Sequence, residues 1–149
     1  MTNGMTEQIQ VGDQIINYDL EKTKTCYRAM ESGDAERCGC SYCKNFAAQR
    51  TSVYPKDFRL LLDQLGIDPD KEGEVYELGP DGSQRLYGGW FYFVGDLAAP
   101  SKRMVDSGSG FEYWIEDAKR LPAPVVDFGG NLLAVEFLAR LPWVIPEQP

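Results

Sequence analysis

Residues 74–94, EVYELGPDGSQRLYGGWFYFV, decide the fold. Glu74–Leu78 has the two-residue period of a strand. Gly79-Pro80-Asp81-Gly82-Ser83 is a concentrated turn signal, and Arg85–Val94 follows as the second arm of a hairpin. From Leu86 to Val94 both faces are apolar or aromatic, so this arm is expected in the centre of a sheet, covered on both sides. Gly88-Gly89 inside it marks a bulge or a close backbone approach. The run Trp90-Phe91-Tyr92-Phe93 fits a sheet core better than the wall of a ligand pocket, because strands favour aromatic side chains.

Downstream, residues 98–110 read as a loop with two basic residues, Lys102-Arg103. Phe111–Glu116 alternates cleanly, with Phe111, Tyr113 and Ile115 on one face and Glu112, Trp114 and Glu116 on the other. Pro122-Ala123-Pro124 breaks the chain. Residues 131–141 form the last expected strand, with Leu133, Val135, Phe137, Ala139 and Leu141 toward the core. Pro142–Pro146 is an extended apolar segment that tucks Trp143 against that core.

Upstream, the period changes to that of a helix. Pro55–Gly66 opens on proline and closes on glycine, and Phe58, Leu61, Leu62 and Leu65 make one buried stripe. A further helix runs from about Ser41 through Asn45–Ala48, and residues 33–42 are turn-rich. Asp19 is a plausible N-cap for a helix over 20–32, with Gly33 as its stop. Residues 14–18 suit a short strand, and residues 1–12 are expected to be frayed. The order of elements implies an α+β fold, with N-terminal helices packed on a C-terminal antiparallel sheet of about four to five strands. The expected domain spans 13–146, with a polar tail at 147–149.

Composition narrows the chemistry. The 149 residues contain no histidine, which removes His-based triads, dyads and metal ligands from any single-chain mechanism. Fifteen basic against 23 acidic residues give a net charge of −8, with no basic patch, so nucleic acid is not an expected partner. No apolar run approaches the length of a membrane span, and residues 1–14 lack a secretory leader, so a cytoplasmic setting is expected. Nucleotide-binding glycine fingerprints are absent.

All four cysteines, Cys26, Cys38, Cys40 and Cys43, fall within 18 residues. Local clustering fits a metal or redox role in a reducing compartment better than a disulfide scaffold. Zinc takes four ligands in a tetrahedron, and thiolates suit it. Cys40-x-x-Cys43 is a chelating half, Cys38 can reach the same ion from the preceding turn, and Cys26 would close the site. Without Cys26, a carboxylate such as Asp34 or Glu36, or a water, would be the fourth ligand. Inert packed thiols and a redox Cys-x-x-Cys pair are the competing accounts.

Carboxylates supply the second candidate. Glu112 and Glu116 flank Trp114 on one strand face, and Glu136 and Glu77 could join them from neighbouring strands. Paired carboxylates can divide acid and base work, but the outer face of an alternating strand is expected to be polar anyway.

The segments CGCSYCKNF, GIDPDKEGEVYELG, LYGGWFYFVG and VEFLARLPWV together resemble a family of small bacterial proteins without an assigned activity. The resemblance covers about Tyr18 to Val144 and implies an intracellular bacterial setting, with no residue roles. The leading expectation is a non-catalytic interaction or accessory module with a structural zinc site at Cys38, Cys40, Cys43 and Cys26, and an unidentified protein partner. A thiol enzyme using Cys40 and Cys43, a carboxylate enzyme using Glu112 and Glu116, and an acidic inhibitor-like partner of a basic protein are the alternatives.

Overall fold

One strand of 16 residues, Gln84–Ala99, is the spine of the structure. The computed structural model describes residues 6–101 and 103–149. In chain order the strands are β1 (Thr6–Val11), β2 (Gln14–Asp19), β3 (Glu74–Asp81), β4 (Gln84–Ala99), β5 (Val105–Asp106), β6 (Phe111–Asp117) and β7 (Leu132–Leu141). Helices α1 (Leu20–Ala29), α2 (Asp34–Cys38), α3 (Ser41–Ala48), α4 (Arg50–Val53) and α5 (Lys56–Leu65) lie between β2 and β3.

Every pairing is antiparallel, in the order β1-β2-β4-β7-β6-β5, with β3 also on β4. One edge of β4 serves two strands in turn: β3 pairs with Gln84–Trp90, and β2 pairs with Gly95–Ala99. Helix α1 fills the gap between them. Tyr27 Oη donates to the Tyr92 carbonyl at 2.6 Å, and the Val94 N–H donates to Thr23 Oγ1 at 3.1 Å. Thr23 and Tyr27 are four residues apart, so one helix face substitutes for the missing strand.

The sheet therefore has seven strands, not four to five, and two of them precede the helices. The fold is still mixed α and β. The expectation missed β1 because its side chains are mostly exposed and polar. Backbone pairing holds it instead, from Thr6↔Asp19 to Val11↔Gln14, and backbone bonds leave no apolar alternation to read. Residues 6–11, expected to be frayed, are thus ordered, while 1–5 lie outside the described residues. The expected loop 98–110 contains the two-residue β5.

The first helix is also shorter than expected. Asp19 caps it as expected, its Oδ1 accepting the Lys22 N–H at 3.0 Å. It ends at Ala29 because Met30 turns extended, and Gly33 caps α2 instead of closing α1. A short helix, α2, occupies part of the segment expected to be turns.

Side-chain alternation matches the sheet. Tyr87, Phe91, Phe93, Phe111, Tyr113, Ile115, Val135 and Phe137 are buried and form one face. That face packs on Phe46, Tyr54 and Phe58 from the helical layer, with Phe58 and Phe111 centroids 4.8 Å apart and Tyr54 and Phe137 5.5 Å apart. Each such side chain contributes about 1.5–3 kcal/mol of burial. On the other face, the connection between β6 and β7 covers Tyr92, whose hydroxyl donates to the Pro122 carbonyl and whose ring meets Phe128 at 6.3 Å. Gly88 is a close approach, since a Cβ there would lie 2.5 Å from the Tyr76 ring.

Gln14 ties the two margins of the sheet together. Its buried amide donates to the Ile115 carbonyl at 2.7 Å and accepts the Ile115 N–H at 3.1 Å. The side chain behaves as one extra strand residue against β6, so the sheet curls.

Candidate metal centre

The turn between α2 and α3 builds the cysteine site. Cys38 is the last residue of α2, and Gly39 follows in the left-handed conformation at φ 68°. Glycine takes that conformation without a Cβ penalty, which is how the chain reverses within the Cys-Gly-Cys step. Cys40 is then the N-cap of α3, and its Sγ accepts the Cys43 N–H at 3.4 Å. Cys43 lies one turn into the helix and is 4 % exposed, whereas Cys38 and Cys40 are exposed.

The three Sγ atoms of Cys38, Cys40 and Cys43 lie within 4.8 Å of one another. Zinc–sulfur bonds of about 2.3 Å hold thiolates about 3.8 Å apart in a tetrahedron, so an ion needs a contraction of about 1 Å or less. All three thiols are free, and they line a recess of about 230 Å³ with Tyr42, Val75 and Tyr87.

Electrostatics separates Cys40 from Cys43. Burial alone would raise the Cys40 thiol, but the Cys43 N–H and the neighbouring Cys38 and Cys43 thiols outweigh it and hold Cys40 below its ordinary value. Burial pushes the Cys43 thiol well up, and the adjacent Cys38 and Cys40 sulfurs push the same way. Of these two, the exposed sulfur at the helix N-terminus takes negative charge more readily, and a bound ion would favour it on the buried one.

The structure leaves Cys26 apart from this group. Its Sγ lies 3.7 Å from the Asp127 carbonyl, and burial followed by Asp127 raises its thiol. Helix α1 spends its inward face on the β4 edge, which carries Cys26 toward the 127–128 segment instead. Nor does a carboxylate named from the sequence complete the set. Asp34 Oδ2 accepts the Val75 N–H at 2.9 Å. Glu36 accepts both Arg50 terminal nitrogens, at 2.7 and 3.0 Å. Glu77 faces the recess but is held by Arg85 and by the Gly79 N–H. Among the described residues, three thiols that could hold an ion, without a fourth protein donor, are the set that converges here.

The supports around the site were not legible in the sequence. Arg50 bridges Glu36 and Glu72, and Glu72 Oε1 also accepts the Ala35 N–H at 2.9 Å. This clamps the start of α2 to the strand-leading segment. Asn45, fully buried in α3, donates to the Pro142 carbonyl at 3.0 Å and accepts the Val144 N–H at 2.7 Å. Tyr87 Oη donates to the Tyr42 carbonyl at 2.9 Å. The Trp143 ring meets Tyr42 at 5.8 Å, with Arg85 stacked on both. These contacts fasten the cysteine corner to the segment leading into β3, to β4 and to the C-terminal segment. A buried Asn or Glu is the available sequence signal, but burial itself is not read from one chain.

The carboxylates fall differently. Glu112, Glu116 and Glu136 share the outer sheet face with Trp114, and Glu112 pairs with Arg140 at 3.8 Å. Glu77 alternates onto the other face. No helix among the described residues is long and apolar enough to cross a membrane. No protein-family model, curated protein or solved structure matches this chain.

Proposed function

We propose that the chain is a non-catalytic interaction or accessory module whose α2–α3 corner is fastened by one thiolate-bound zinc ion. The observation that carries this is the convergence of Cys38, Cys40 and Cys43 sulfurs within 4.8 Å. Helix α2 has five residues and α3 eight, too short to be stable alone. An ion held by residues from both would supply the order that local packing does not. A water, or a donor from a partner protein, would complete the tetrahedron. The net charge of −8 supports a protein partner, and clustered free thiols support a reducing compartment.

Cobalt(II) titration tests the reading, because thiolate-to-cobalt absorption counts sulfur ligands. One equivalent should bind with a tetrahedral spectrum, be displaced by zinc, and lose intensity in Cys38→Ser, Cys40→Ser and Cys43→Ser. Cys26→Ser should leave the spectrum unchanged. Loss of intensity in Cys26→Ser, or none in Cys43→Ser, refutes the assignment.

A second reading rests on one feature of the same corner. The exposed Cys40 caps α3 while Cys43 is buried a turn later, the disposition of a reactive thiol and its resolving partner. Exclusion of metal from the purified protein, with fast Cys40 alkylation, would favour it.

A further inference from the structure

The outer face of the sheet carries a second group of side chains. Trp90, Glu136 and Trp114 are register partners across β4, β7 and β6, and Glu74 of β3 stands opposite Trp90. Tyr76 rests on Trp90, with centroids 6.0 Å apart. Glu116 is exposed on the same face, two residues beyond Trp114. The result is an aromatic row with a carboxyl in its middle.

One oxygen of that carboxyl is left without a partner. Glu136 is 7 % exposed, and its Oε2 has no hydrogen-bond partner. Two ionised carboxylates have no donor between them, so Glu136 and Glu116 can join only through a proton or a shared cation. Burial first, and then the neighbouring Glu116, together raise Glu136 to about 8, with the Trp114 indole as the single opposing influence. The Tyr76 hydroxyl is raised by burial and then by Glu136, Glu74 and Glu116. Among the described residues no cation acts on either group. Nearby Arg140 is taken by Asp81 at 2.7 Å and by Glu112. A buried carboxyl is ordinarily paired, and among the described residues the one charged group acting on this one is the like-charged Glu116.

We propose that this row docks a basic segment of a partner protein, seating an arginine guanidinium against Glu136 and Glu116 beside the partly exposed Trp114, while Trp90 stays buried under Tyr76 and Tyr92. A guanidinium is planar, gives paired hydrogen bonds to carboxylates, and stacks on indole faces. It would give Glu136 Oε2 the donor it lacks and cancel the repulsion from Glu116. The net charge of −8 adds long-range attraction for such a segment. Docking converts the neutral Glu136 carboxyl to a carboxylate paired with the guanidinium, so one proton leaves to solvent.

Calorimetry with an arginine-rich decapeptide, against the same peptide with citrulline for arginine, tests this. Runs at pH 7 in two buffers of different ionisation enthalpy read the released proton. The arginine peptide should bind with proton release, and the citrulline peptide should bind at least about tenfold more weakly. E136Q and E116Q should each weaken binding by about tenfold, and E136Q should abolish the proton release. The double variant E21Q/E31Q changes charge elsewhere on the surface and should stay within about twofold of the parent. The proposal is overturned if the peptide does not bind at low salt, if E136Q binds like the parent, or if E21Q/E31Q weakens binding as much. Glutamine is isosteric with the protonated carboxyl, and Glu116 is exposed, so both single variants should fold; E116Q alone decides the matter if E136Q does not.

Discussion

The Cys40 sulfur accepts the Cys43 backbone N–H at 3.4 Å, so the residue that starts helix α3 is bonded to the residue one turn inside it. A helix cap is ordinarily an oxygen of Ser, Thr, Asp or Asn. Here a sulfur does that work, at the point where Cys38 arrives from α2. Local secondary structure and the thiol cluster are thus one feature: the cap that begins the helix is also the centre of the donor set.

Gly39 should be the conformational requirement of this turn. A Cβ there would meet nothing within 4 Å, so the cost of G39A comes from its φ of 68° alone. G39A should lose about 1 kcal/mol of stability and bind zinc more weakly. Urea unfolding with and without zinc measures both. An unchanged zinc affinity would mean that the left-handed step does not set the sulfur positions.

Arg50 should matter far more than a surface arginine. It serves Glu36 and the fully buried side chain of Glu72. Arg50→Met leaves the Glu72 carboxylate buried without its cation, which costs about 3–5 kcal/mol. Arg50→Lys keeps the charge but not the fork, and should recover only part. Denaturant midpoints for the two variants order these effects, and equal losses would contradict the argument.

Thr23→Val should expose the gap in the β4 edge. It removes the oxygen that accepts the Val94 N–H, leaving that buried donor unsatisfied at a cost of about 1–3 kcal/mol. Hydrogen exchange at the Val94 amide should accelerate while exchange at Val135, within the β7 ladder, changes no more than the global stability requires. Unaltered Val94 exchange would show that α1 does not close this edge.

Glu136 gives stability a defined pH dependence. Its folded value, about 8, lies above the 4.5 of a free carboxyl, so the folded state holds the extra proton between those values. Stability from this group is complete below 4.5, falls as pH rises through the window, and levels off above about 8. E136Q should flatten that slope and be more stable than the parent at pH 8.5. Parallel pH profiles for E136Q and the parent would contradict a raised Glu136.

Much of the architecture was legible. The glycine after α5 takes the left-handed conformation at φ 83°, and Phe58, Leu61, Leu62 and Leu65 are buried as their spacing implies. The alternation of Phe111, Tyr113 and Ile115 and of Leu133 through Leu141 names the inner sheet face correctly. What escaped was structure held by groups without an apolar pattern. β1 is held by backbone pairing, β5 is two residues long, and the margins of the sheet meet through one glutamine amide. The site divided in the same way. The spacing of Cys38, Cys40 and Cys43 on a turn and a helix start is local and readable. The position of Cys26 depends on which face of α1 turns toward β4, set by hydrogen bonds to residues about 70 positions away. That no cation among the described residues acts on Glu136 is likewise a property of the folded face, not of any segment.

The central claim is that Cys38, Cys40 and Cys43 hold an ion. Elemental mass spectrometry on protein purified without chelator or nickel resin tests it most directly. The account predicts about one zinc per chain in the parent and in Cys26→Ser, released when thiols are blocked, and none in Cys43→Ser. Metal-free parent protein, with Cys38, Cys40 and Cys43 all reacting freely in the folded state, would contradict it.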